Sequence, residues 1–277
     1  MPALGGTGGA PRPNWTKELS AAASCRSLIA PLARALALLA AFAPEDCWLG
    51  AGDLIARTGI PSSTVTRIAG SLVQLGYLQY GRTERKYRLT AKVLALGYGA
   101  VATNDVQRIA RTLMAAFTEQ HGLQMVSLST RDRLGIVVLE TFGSKQAPMF
   151  AGMNAGTRMS IGASPLGWAL LAALPQPERR YLLDNVERRM AQDWIRVRRR
   201  ASAAIAQVQE QGYCLVVDEG RPNVAIVATP LMVPGRSPLV LACGGSSTQL
   251  ARACVEREIG PRLLTLAAAI QEAGGAT

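Results

Sequence analysis

Only one histidine, His121, occurs in the 277 residues. That argues against a histidine metal site, and a Ser-His-Asp site would have to use this one ring. Cysteine is nearly as scarce. The five, Cys25, Cys47, Cys214, Cys243 and Cys254, are odd in number and form no C-x-x-C pair. Such spacing fits neither a disulfide framework nor a cysteine zinc site; it fits reduced thiols in a cytoplasm. Acidic residues number 19 against 30 lysines and arginines. Long apolar runs are missing too. The most hydrophobic stretch, SLIAPLARALALLAAFAP, is interrupted by Pro31 and Arg34 and is too short to span a bilayer. The opening MPALGGTGGAPRPNW lacks the apolar run of a secretory signal. The expectation is a soluble cytoplasmic protein with no metal, no cofactor and no membrane contact.

What remains is basic and core-forming. The formal net charge is +11, the pI about 10.0, and 49% of the residues are hydrophobic. A soluble chain of this charge most often meets a polyanion, and its length suffices for two domains. Residues 1–24 read as a flexible tail. A helix is expected from Pro31, with Leu32, Leu36, Leu39 and Phe42 at helical spacing. Leu54 and Ile55 mark a second helix that Gly59 stops. Pro61 and Ser62 open a third, striped by Val65, Ile68, Ala69 and Leu72 and closed by Gly76. YLQY and KYRL then alternate as strands around GRTER, with Gly81 supplying the turn. Three helices with a tight second turn, followed by a hairpin, make a winged helix-turn-helix over 25–89.

A helical connector over 90–104 follows, interrupted at Gly97, Gly99 and Thr103-Asn104. From 105 to 277 strands and helices alternate. QMVSLSTRDRLGIVVLETF reads as a hairpin turning at Arg131-Asp132-Arg133, and APMFAG as a further strand. YCLVVDEG, NVAIVATPLMV and SPLVLACGG are strands too. Helices are expected at Pro165–Leu174, over QPERRYLLDNV, from Asp193 to Gln211 and from Ala251 to Ala273. The fold class is therefore α+β, an antiparallel sheet flanked by helices behind a DNA-binding domain.

The third helix carries the chemistry. With Val65, Ile68 and Leu72 inward, Ser63, Thr66, Arg67 and Gln74 face outward. Ser62, Ser63 and Thr64 lie in its first turn, where free amides and the helix dipole suit a phosphate. Small hydroxyl side chains let the helix approach a groove closely, and Arg67 can fork onto guanine. The hairpin adds Arg82, Arg85, Lys86 and Arg88, which suit phosphate or the minor groove. The partner expected is double-stranded DNA.

ARALALLAAF, DLIARTGIPSSTVTRIAGSLVQLGYL and KYRLTAKVLALG together resemble the winged-helix domain of the IclR family of bacterial transcriptional regulators. GASPLGWALLAAL, VQEQGYCLVVDE and VAIVATPL resemble its second domain, so the likeness covers most of the chain beyond the tail. The resemblance implies a GAF-like effector-binding domain, a homodimer or tetramer, a roughly palindromic operator and a small organic effector from a catabolic pathway. Carried over position by position, the implied effector residues are Ser164, Pro165 and Leu166 from the loop before the LGxA-type helix; Ser160 and Ser164 are expected to supply hydrogen bonds. Val216 joins them from the strand after Gly-Tyr, and Ile226, Leu241 and Cys243 from the last two strands. Where members that hold small oxo-acids commonly have Asp, Cys and Ser, this chain has Val216, Ile226 and Leu241. It has Ala225 where Arg is frequent and Trp168 where Lys is frequent. A drier pocket for an aromatic or hydrophobic effector is expected, with Arg158 available to a carboxylate. A register slip of one residue would instead turn these strand positions into plain core.

Other motifs carry less. GASPLG is G-x-S-x-x-G rather than the G-x-S-x-G nucleophile elbow. GYGAVA sits in a helical pattern, not after a buried strand, so no dinucleotide site is expected. GGSS at Gly244 lacks the P-loop lysine. RVRRR, Arg196 to Arg200, reads as a solvated helix face. The alternative from another class is a hydrolase-like enzyme with a DNA-binding appendage, which would need His121 near a nucleophile.

Overall fold

The computed structural model describes residues 29–43, 46–102, 105–121, 123, 125–143, 153–190, 193–219 and 223–275. The expected tail over 1–24, the strand over APMFAG and the break at Thr103-Asn104 lie outside them. The chain divides into two compact units, Met1–Val101 and Ala102–Thr277.

In the first unit, α1 (Ala30–Leu39) begins with Pro31 in its first turn, where a missing amide hydrogen costs nothing. Its buried face is Ala37, Leu38 and Ala41. Leu32 and Leu36, expected to be inward, are 57% and 51% exposed. A helix this rich in alanine and leucine offers two apolar stripes, and spacing alone does not choose between them. Next come β1 (Leu49–Gly50) and α2 (Ala51–Thr58), whose start is fixed by the Gly50 amide donating to Asp53 Oδ2 at 2.9 Å. Gly59 ends α2 at φ +69, a left-handed conformation that glycine adopts without strain. This compresses the link to α3 (Ser62–Gln74) to Gly59, Ile60 and Pro61.

Val65, Ile68, Ala69 and Leu72 of α3 pack with Leu38, Leu54, Ile60 and Leu78 into one core. Arg57 locks the α1–α2 link, pairing with Asp46 and donating to Ala41 O at 2.9 Å. The wing is three-stranded, ordered β1-β3-β2, with β2 (Leu78–Gly81) and β3 (Lys86–Leu89) antiparallel. Its turn is Arg82–Arg85, with Arg85 at φ +52. Gly81, expected in the turn, is instead the last residue of β2, where an added Cβ would meet Trp48 at 3.0 Å. The third strand, β1, is too short to leave an alternating pattern. After the wing, α4 (Ala91–Ala102) runs through Gly97 and Gly99 without a break.

The second unit opens with α5 (Asp105–His121). Its sheet comprises β4 (Met125–Asp132), β5 (Gly135–Gly143), β6 (Arg158–Ser160), β7 (Cys214–Val217), β8 (Val224–Leu231) and β9 (Leu239–Ser246). All pairs are antiparallel, in the order β6-β5-β4-β9-β8-β7. The β4–β5 turn falls one residue later than expected, at Arg133-Leu134, with Arg133 at φ +56. A bulge at Leu128/Ser129 shifts the β4–β5 register. Helices α6 (Pro165–Ala173), α7 (Gln176–Arg189) and α8 (Trp194–Gln211) follow β6. The chain ends with a short turn α9 (Arg252–Cys254), a π-helical turn (Val255–Ile259) and α10 (Gly260–Gly275).

Each face of the sheet has its own core. One packs Val126, Leu128, Ala225, Val227, Leu241 and Cys243 against α5 and α10. The other packs Ile136, Cys214, Ala228, Val240 and Ala242 against α6, α7 and α8. No helix among the described residues is long and apolar enough to cross a membrane.

Candidate DNA interface and effector face

The outward surface of α3 follows from its inward stripe. Ser63, Arg67, Gly70 and Gln74 recur at intervals of four, three and four residues and so share one face, and all four are exposed. Ser62 is exposed in the first turn and Thr64 is half-buried. No side chain caps this helix, because its N-cap is Pro61. The amides of Ser62 and Ser63 are left for an external acceptor, while those of Thr64 and Val65 already donate to Pro61 O at 2.9 and 3.0 Å. Thr66 donates its hydroxyl to Ser62 O at 3.1 Å and Ser71 to Arg67 O at 3.1 Å, so both hydroxyls face outward as acceptors. An added Cβ on Gly70 would meet nothing within 4 Å; this part of the face has no bulk to hold a groove away.

The wing's cations divide into two kinds. Arg82, Arg85 and Lys86 are exposed at the turn, and no ion pair among the described residues holds them. Arg88 is engaged within the wing: it donates to Gln79 Oε1 at 2.9 Å and lies 4.9 Å from the centre of the Trp48 ring. Trp48 also backs Gly81, so it is the anchor of the wing. Sequence reasoning missed that role because β1 is only two residues long.

In the second unit, Ser164 caps α6. Its hydroxyl donates to Ser160 O at 2.8 Å and accepts from Gly167 N at 3.1 Å, and Pro165 occupies the first turn. Gly167 sits against the chain just before the cap, where a Cβ would lie 2.0 Å from Ile161 O. Leu166 is fully buried in the α6-side core, and Val216 and Ile226 pack against that same core. Ser164, Pro165, Leu166, Val216 and Ile226 therefore lie on the α6 side; Ser160 gives that side only its backbone oxygen, because its β6 neighbour Met159 is the residue that packs on the α6 core. Leu241 and Cys243 do not. They point to the opposite face, into the core shared with α5 and α10. The expected set is therefore split between the two faces of the sheet, as a strand's period of two separates neighbours; Val240 and Ala242 are the β9 residues on the α6 face. Ala225 likewise packs on the α5 side.

The α6 layer is dry in charge as well as in composition. Arg158, next to Met159 on β6, turns to the other face and pairs with Asp132. Arg200 pairs with Glu219 at 3.4 Å, donates to Val217 O at 3.0 Å and lies 5.3 Å from the Trp168 ring centre. Trp168 is buried and donates its indole proton to Gly162 O at 2.6 Å. Two polar groups on this face escaped sequence reasoning: Ser127 and Ser129 of β4, both fully buried. In MVSLS the alternation of Val126 and Leu128 with the two serines is the signal that identifies them.

His121, at the end of α5, contacts Arg262 through Nδ1 at 2.9 Å and stacks edge-on with Phe117. Burial first, then the Arg262 charge, lowers its pKa below the usual histidine value. It lies with the α5 and α10 helices, whereas Ser164 caps α6 on the other face, so His121 and Ser164 do not meet. No group of three or more His, Cys, Asp or Glu among the described residues could hold a metal.

Two family models match the chain. One describes the IclR helix-turn-helix domain and covers residues 31–82; the other describes the bacterial transcriptional regulator IclR C-terminal region and covers residues 98–271. The HTH-type transcriptional regulator TsaQ1/TsaQ2 of Comamonas testosteroni is 32% identical over 246 residues, 88% of each chain. The crystal structure of an IclR family transcriptional regulator from Brucella abortus is 33% identical, with a TM-score of 0.77 over 90% of this chain and 93% of that one. An IclR homologue from Microbacterium hydrocarbonoxydans, crystallised with 4-hydroxybenzoate, shares the fold at 22% identity, with a TM-score of 0.69 over 89% of this chain and 100% of that one.

Proposed function

The chain belongs to the IclR family of bacterial transcriptional regulators, and we propose that it reads an operator with α3 and its wing under the control of a small aromatic or otherwise hydrophobic effector. On this reading Ser62, Ser63, Thr64 and the amides of the first turn of α3 engage phosphate or base edges. Arg67 reads guanine, Gln74 follows the groove, and Arg82, Arg85 and Lys86 lie on the backbone. Arg88 supports the wing. The observation that carries the DNA reading is the uncapped, small-residue face of α3 beside free wing cations.

Residues 105–277 form the sensing domain in this proposal, and 90–104 the link to the winged helix. The effector sits on the α6 side of the sheet. What supports an aromatic or hydrophobic class is the composition of that layer, with Val216, Ile226, Val240 and Ala242 where a hydrated oxo-acid would need partners. Arg200, the cation beside Trp168, is already paired with Glu219. The 4-hydroxybenzoate in the structure of the Microbacterium homologue belongs to that protein, and its chemistry is a sensible first probe for this one. Two subunits on one roughly palindromic site would cover the exposed leucines of α1 and α4, Leu32, Leu36, Leu94 and Leu96, between copies. The site of action on this reading is the cytoplasm.

The test is fluorescence anisotropy on duplex DNA from upstream of the protein's own gene, beside an unrelated duplex. Arg67→Ala is expected to lower the preference for the upstream duplex by about 1–3 kcal/mol, the usual worth of a bidentate base contact. Equal binding of both duplexes by the wild type would overturn sequence reading by α3.

A further inference from the structure

Ser127 and Ser129 are fully buried, and neither hydroxyl has a hydrogen-bond partner among the described residues. They lie two residues apart on β4, the strand flanked by β5 and β9, so their side chains point to the same face. Ser127 stands between Thr141 and Ala242, and Ser129 between Val138 and Val240. This is the face that carries Val216, Ile226 and Ala228 and receives α6. Thr141 donates its own hydroxyl to Met153 O at 2.7 Å.

A buried hydroxyl without a partner is an exception that calls for a reason. The backbone does not supply one, because β4 is paired along both edges and its ladder groups are in use. Water is a poor answer. A buried water needs two to four polar partners; besides the serines themselves the adjacent strands offer only Thr141, whose proton already goes to Met153 O, and the neighbours across β9 and β8 are valine, alanine and isoleucine. Alanine would fit the same positions without the cost of desolvating a hydroxyl. The third unpartnered buried polar atom among the described residues, Trp194 Nε1, is in the same core layer.

We infer that Ser127 and Ser129 are the polar points of the effector site and select a hydroxylated aromatic over its deoxy analogue. This rests on the reading of the α6 face as the sensing site. The two hydroxyls are about 7 Å apart along the strand, so a single-ring ligand lying over them meets one or both with its polar substituents while its ring covers the aliphatic layer. A hydroxyl can donate or accept, so a phenol fits either serine. An analogue without the hydroxyl leaves the serines as unpaired as they are in the free protein. Discrimination of about 10-fold per satisfied hydroxyl is expected.

The experiment uses the full-length protein and two matched probe pairs, 4-hydroxybenzoate with benzoate and 4-methylphenol with toluene. Binding is followed by isothermal titration and by tryptophan fluorescence, since Trp168 and Trp194 lie in the layer concerned. The wild type is expected to prefer the hydroxylated member of at least one pair by about 10-fold or more. In Ser127→Ala/Ser129→Ala that ratio is expected to fall to near one, through loss of affinity for the hydroxylated member alone. A thermal melt of the ligand-free variant no lower than wild type separates this outcome from misfolding. A preference that survives in the double variant overturns the inference and leaves the sensing reading intact. Failure of every aromatic to bind the wild type overturns both.

Discussion

Neutralising the wing turn with Arg82→Ala/Arg85→Ala/Lys86→Ala removes three exposed cations that no ion pair holds among the described residues. Nothing of the core goes with them: the wing's packing rests on Leu78, Tyr87, Leu89 and the Trp48–Arg88 contact. The effect is therefore expected in electrostatics rather than in folding. Each phosphate released from a cation lowers the slope of log K against log salt by about 0.9 on duplex DNA. Freeing three phosphates per bound subunit changes the slope by about 2.7, equivalent to about 40-fold less loss of affinity between 50 and 200 mM salt. Anisotropy titrations at several salt concentrations read the slope directly. Arg88→Ala run beside it is expected to lower the melting temperature of the first unit, because it removes the cation from the Trp48 ring and from Gln79. An unchanged slope in the triple variant would refute the argument, since it would mean that the wing turn does not touch the duplex. A collapse in melting temperature would refute the division of the cations into free and structural ones.

Three further outcomes follow from the second unit. Gly167→Ala puts a Cβ 2.0 Å from a backbone oxygen that has no room to move aside, and a loss of about 3 kcal/mol is expected, read as a fall in melting temperature of about 10 °C. Replacing both buried serines by alanine is expected to raise the stability of the ligand-free protein by about 1 kcal/mol or more, the sign opposite to most core substitutions; a loss of that size in chemical denaturation would show that the hydroxyls have partners. Burial pushes the thiols of Cys214 and Cys243 up to about 12. Below that value they stay protonated and unreactive, so a disulfide reagent at about pH 8 is expected to label exposed Cys47 and to reach these two only on unfolding. Rapid labelling of Cys243 in native protein, mapped by peptide mass, would contradict that burial.

The helix-turn-helix was legible because local chemistry and tertiary packing agree there. Gly59, Pro61 and Gly76 punctuate the helices, and the stripe Val65, Ile68, Ala69 and Leu72 has one period and one partner core. Agreement fails on α1, where two leucine-rich stripes compete and the one at Leu32 and Leu36 remains exposed. It fails again on β9. LVLAC is buried on both faces, so its pattern has no alternation from which to read register. Likeness to relatives then had to supply the register, and it grouped Leu241 and Cys243 with Val216 and Ile226, which face the opposite core. On β4 the alternation was present, yet the serines passed unremarked, because small polar residues in a strand read as filler until their burial and lack of partners are known. Register on a doubly covered strand is a property of its neighbours. Here the pairing of Ser127 with Ala242 and of Ser129 with Val240 sets which side chains of β9 share the α6 face with the two serines, and on the proposed reading those hydroxyls give an otherwise aliphatic site a means of choosing among aromatic rings.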